Sequence, residues 1–153
     1  MDARSVQYKT AALSLAATLT LALGAQGAFA ATMNNAANGL PPAQHADGIA
    51  YVSGGIGSDQ SAAFKAATAH YPLSLEFARQ AASGNEYLAD VPVTIANAHG
   101  QTLISTRTHG PYMLVALPHG HYVVTASHDG KTVERTVNVG NTTHEHETFV
   151  WPT

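Results

Sequence analysis

The chain contains no cysteine. No disulfide can staple it, no thiolate can serve as nucleophile or metal ligand, and no lipid-modified cysteine can tether it. A hydrophobic core must therefore carry stability alone. Charge is also sparse, with Lys and Arg totalling 7 and Asp and Glu 10, for a formal net charge of −3. Without a basic patch, nucleic acid and anionic membrane surfaces are poor partners. Long apolar runs are missing too. The one candidate, Ala11 to Leu23, spans about thirteen residues, too few for a comfortable membrane span. No span is expected in the mature chain. A Gly-x-Ser-x-Gly elbow and a Gly-Lys-Ser/Thr phosphate loop are both lacking, and no enzymatic activity is predicted.

What is present begins with an export signal. Arg4 and Lys9 form a charged first region, Ala11 to Leu23 an apolar one, and Ala28-Phe29-Ala30 a small-residue cleavage site. Residues 1–30 read as a signal peptide cut between Ala30 and Ala31. A cysteine-free exported domain fits a bacterial periplasm better than an animal extracellular fluid, and secretion is the other destination considered. The remaining length suits one domain of about 120 residues. Residues 31–47, rich in Asn, Ala and Pro, read as a flexible leader. Residues 48–86 read as a helix-containing first segment of the domain, and 87–153 as its β-rich core.

Within the first segment, Ile49 to Val52 suggests a short strand and Ser53 to Gly57 a Gly-rich loop. The loop's amides could cradle an anion, but a tight turn leading to an N-cap at Ser58 is the preferred reading. An Ala-rich helix is predicted over about 59–70, ended by Pro72. Leu73, Leu75 and Phe77 then alternate with Ser74, Glu76 and Ala78. Ser83-Gly84-Asn85 reads as a loop. Val91, Val93 and Ile95 alternate again, and Pro92 argues for an edge strand or a bulge. Further strands are expected at 103–108, 112–117 and 144–151.

The strongest pattern is Leu117 to Val139. Asp129-Gly130 supplies a two-residue reversal, because both residues tolerate φ > 0. This register sets His128 opposite Lys131, Ala126 opposite Val133, Val124 opposite Arg135 and Tyr122 opposite Val137. Arg135 breaks the apolar parity; an edge position or a bulge would let its guanidinium reach water while its stem packs, and an anion site is the sharper alternative. About seven short strands and one small N-terminal helix predict a mainly β fold, a single antiparallel β-sandwich of prealbumin-like or Ig-like type.

The span from about Leu88 to Val139 resembles the carboxypeptidase regulatory-like domains, as found in small bacterial exported proteins. The matching elements are Val91-x-Val93-x-Ile95, Gly100, Gly110-x-Tyr112 and Leu117-Pro118-x-Gly120-x-Tyr122-x-Val124. The resemblance implies a prealbumin-like sandwich with Tyr122 packed at a corner. It implies structural roles for Leu117, Pro118, Gly120 and Tyr122, and no activity. The small pair that opens the first strand in that family is Ala89-Asp90 here.

Nine histidines are unusual in so short a chain, and seven lie between His99 and His146. His119-x-His121 and His144-x-His146 could each present two imidazoles on one strand face, as a Zn or Cu site requires. The competing reading is scattered surface imidazoles in turns. Tyr51, Tyr71, Tyr87, Tyr112 and Trp151 would form a sugar-stacking platform if exposed, but the preferred reading places several of them in the core. Three functions follow. The first is an exported non-catalytic module binding a protein or envelope ligand. The second is a periplasmic metal-binding protein using histidines, and the third a carbohydrate-binding module.

Overall fold

The computed structural model describes residues 38–153. The expected signal peptide and the start of the leader lie outside these residues. The fold is mainly β, two sheets packed face to face with one short helix on the outside. Ten strands are present among the described residues, more than the seven expected. Two were hidden in presumed loops. Strand β1 (Gln44–Ala46) lies inside the expected leader and pairs with β2 (Ile49–Gly54). Strand β4 (Gly84–Tyr87) occupies the expected loop and folds back on β3 (Leu73–Ala81). Both are short and polar, so they carry no alternation to announce them. Neighbouring backbone supplies their pairing.

Four strands form one sheet in the order β6 (Thr102–Arg107), β5 (Pro92–Asn97), β8 (Gly120–His128), β9 (Lys131–Val139). The other sheet runs β1, β2, β7 (Tyr112–Val115), β3, β10 (Glu145–Trp151), with β4 paired to β3. Strand β5 is interior and not the expected edge. Pro92 is tolerated because it is the first residue of its strand, and the β8 partnership starts only at Val93. A bulge does occur in β5, at Ile95 and Ala96.

The β8–β9 hairpin has the register read from its turn, with Tyr122 opposite Val137 and Val124 opposite Arg135. Asp129 and Gly130 both have positive φ, 49° and 73°. Strand β9 is a sheet edge, which resolves Arg135. Its guanidinium lies 5.9 Å from the Phe149 ring centre and 3.9 Å from Glu147 while remaining half exposed. At the start of β8, Gly120 has φ 154° and leaves room for the Tyr122 ring to fold back beside it. The Tyr122 hydroxyl then donates to the Pro118 carbonyl at 2.8 Å.

One pairing departs from the antiparallel expectation. Strands β3 and β10 run parallel, from Leu73 opposite Glu145 to Trp151 opposite Arg79. The chain passes through both sheets between them, as a parallel pair requires a long crossover. The main core lies between the sheets, where Leu73, Leu75, Phe77, Phe149 and Trp151 meet Val93, Ile95, Tyr122 and Val124. A second core lies outside the six-stranded sheet. There α1 (Ser58–Ala67) sets Phe64, its one buried residue, against Val52, Tyr112, Leu114 and Ala116. The helix starts one residue earlier than predicted. Gly57, not Ser58, is its N-cap, and a 3-10 turn (Thr68–His70) continues it. The Gly-rich loop is not an open anion cradle, because the Gly55 N–H already donates to Gln60 Oε1 at 2.8 Å.

Candidate functional site

Helix α1 covers only part of the six-stranded sheet. It lies over β2 and β7 and leaves the outer face of β3 and β10 open. Along that face, parallel register sets His146 beside Ser74 and Thr148 beside Glu76, and antiparallel register sets Tyr112 beside Glu76. The result is a groove of about 430 Å³ between helix and strand β10. Lys65 and Thr68 form the helical wall. Ser74, Glu76, Tyr112 and Leu114 form the floor, and His144 and His146 the far side.

Each polar group here has a local reason for its place. Ser74, Glu76 and His146 occupy the strand parity opposite the core residues Leu73, Leu75 and Phe149. Ser74 is 1 % exposed, and its Oγ lies 2.7 Å from His146 Nδ1. His146 Nε2 then faces Thr148 Oγ1 at 3.4 Å and Glu76 Oε2 at 3.9 Å. A serine, a histidine and a carboxylate in line suggest a nucleophile, but the details oppose it. The serine is buried, it also lies 3.4 Å from the Glu145 carbonyl, and the carboxylate is beyond hydrogen-bond distance. The bond orients the imidazole and directs Nε2 towards the groove.

Tyr112 is the unusual member. Its ring packs on Phe64 at 6.0 Å and on Tyr87 at 5.7 Å, and Gly55 fits against it where a side chain could not. Its hydroxyl is buried with no hydrogen-bond partner. Tyr87 approaches it without reaching hydrogen-bond geometry. That approach holds the Tyr87 pKa above the ordinary value, helped by the negative charge of Glu76 and opposed by Lys65. An unsatisfied buried hydroxyl costs about 1–3 kcal/mol. Replacing Tyr112 with Phe is expected to raise the unfolding free energy by about 1 kcal/mol in urea denaturation. A loss of stability would reveal a structural partner for the hydroxyl.

The structure separates the predicted metal residues. His119 and His121 lie in the turn before β8 and at its start, and His121, out of step with buried Tyr122, faces outward from the four-stranded sheet. His144 and His146 border the groove on the outer face of the other sheet. Both sheets and the core between them stand between the pairs. Among the described residues no group of three or more His, Cys, Asp or Glu side chains is placed to hold a metal. Titration with Zn²⁺ or Cu²⁺ in a calorimeter is expected to show weak binding at several sites, unchanged when His144 and His146 both become Ala. One-to-one binding abolished by that double change would restore the metal site.

The stacking platform is not formed either. Tyr51, Tyr71, Tyr112 and Trp151 are buried, and Tyr87 alone of the five is exposed, at 53 %. Sequence reasoning overlooked Lys65, Ser74 and Glu76. The alternation at Ser74 and Glu76 marked them as facing away from the core, but nothing local showed what lay across from them.

Residues 74–148 match the family model described as the Rhizobiales growth-associated tandem repeat domain. The matched span begins in β3 and ends in β10, so its two ends are the two strands of the parallel pair. It contains the floor and far side of the groove. Lys65 and Thr68, the helical wall, lie outside it. A search among curated proteins finds no match to the chain.

Proposed function

We propose that this protein is an exported, non-catalytic β-sandwich module that binds a ligand of the cell envelope in the groove between α1 and β10. The observation that carries this reading is the groove itself, which gathers Lys65, Glu76 and His146 around one accessible space beside the exposed Tyr87 ring. The groove volume lies within the range of small-ligand sites. No helix among the described residues is long and apolar enough to cross a membrane.

The resemblance to carboxypeptidase regulatory-like domains implies a fold and no reaction. Export is tested by intact-mass measurement of the protein recovered outside the cytoplasm, which should begin at Ala31. A chain retaining Met1 there would refute the signal assignment. Binding is tested by cosedimentation of the purified chain with an envelope fraction. Saturable retention that falls when Tyr87 becomes Ala supports the reading, and absence of retention overturns it.

A further inference from the structure

We infer that the groove is a saccharide site, a deeper statement that rests on the envelope-ligand reading above. The inference comes from what each class of ligand would meet there. An anion would meet the Glu76 carboxylate, and a simple cation would meet Lys65. A hydrocarbon chain would find Leu75, Leu114 and the Tyr112 ring as apolar wall, interrupted by Thr68, Ser74, Glu76, His144 and His146. A neutral ligand with many hydroxyls matches the whole set. Glu76 accepts from sugar hydroxyls, and charged acceptors make the stronger bonds. Lys65 donates to ring or hydroxyl oxygens. His146 is already oriented by the 2.7 Å contact with Ser74, so its Nε2 is offered at no further ordering cost.

Tyr87 completes the site. It is the exposed ring beside the groove, 5.7 Å from Tyr112, and it stands near enough to feel the charges of Glu76 and Lys65. An exposed phenol offers an apolar face to the C–H face of a sugar ring and a polar tip to its hydroxyls. Ile56, the other exposed large hydrophobic residue among those described, lies in the loop that packs against Tyr112 through Gly55.

The test is titration of the isotope-labelled purified chain with chitotriose, cellotriose and maltotriose, followed by amide shifts and calorimetry. At least one trisaccharide should bind saturably and shift the amides of Ser74, Glu76, Tyr87, Tyr112 and His146. Tyr87→Ala should weaken that binding by about tenfold. Glu76→Gln should weaken it while leaving the fold intact, a separation that a purely structural carboxylate would not show. The inference falls if no trisaccharide shifts groove amides, or if both variants bind as the parent does. If the envelope fraction still retains the chain through Tyr87 while every saccharide fails, the saccharide assignment is wrong and the envelope-ligand reading survives. If retention fails as well, both fall.

Discussion

Replacing Tyr122 with Ala should lower the unfolding free energy by about 3–5 kcal/mol. The ring is 6 % exposed, is packed in the main core, and is opposed by Val137 across the hairpin. Removing it leaves a cavity near the start of β8, where rigid strand backbone limits collapse. The hydroxyl accounts for a smaller share. Its acceptor, the Pro118 carbonyl, belongs to an exposed residue that water can reach. Tyr122→Phe should therefore cost only about 0.5–1.5 kcal/mol. Chemical denaturation of both variants separates packing from hydrogen bonding. Equal losses would mean that the bond, and not the ring, holds the corner. Burial also raises the Tyr122 pKa above its ordinary value of 10.0. The folded state favours the neutral phenol, so this contribution is complete below that value and is lost as pH rises through the folded pKa. Stability should decline above about pH 10, and less steeply in Tyr122→Phe.

Replacing Trp151 with Ala should cost about 3–5 kcal/mol as well, for a different reason. Trp151 is the last residue of β10 and is 1 % exposed. Its indole N–H donates to the Lys131 carbonyl at 2.9 Å, and its ring meets Phe149 and His128. It thus ties the end of the six-stranded sheet to the first residue of β9, in the other sheet. Truncation leaves a large void, removes the donor for that carbonyl and loosens the parallel pair. Hydrogen exchange should show the amides of β10, from Phe149 onward, losing protection before those of β8 and β5. Uniform loss across all strands would mean that β10 has no independent closing role. Because His146 lies on the same strand, this variant should also weaken binding in the groove.

The β8–β9 hairpin was legible down to its individual pairs. Asp129-Gly130 admits one turn geometry, and period-two alternation leaves one register that buries Tyr122, Val124, Ala126 and Val137. Arg135 was legible in part: an outlier on a buried parity admits an edge or a bulge, and the strand order decides for the edge. Leu73 to Ala78 was equally clear about which residues face the core. The two extra strands were not legible. Gln44–Ala46 and Gly84–Tyr87 expose most of their residues and exist because β2 and β3 offer them backbone partners.

The site divides along the same line. Local sequence determined the conformation of each piece: the turn at Asp129-Gly130, the helix of alanines around Phe64, the outward parity of Ser74, Glu76 and His146, and the corner at Tyr122. Each follows from φ preferences, capping or alternation within a few residues. Only the tertiary structure decided that His146 stands beside Ser74, seventy-two positions earlier, and that Lys65 and Tyr112 share a groove with them. It also decided that His119 and His121 face away on the opposite sheet. A parallel pair between β3 and β10 has no turn of its own to write its register into the chain. That register comes from the shared burial of Leu73, Leu75, Phe77, Phe149 and Trp151 in a core assembled from both sheets, a property of the whole packing and of no single stretch of sequence.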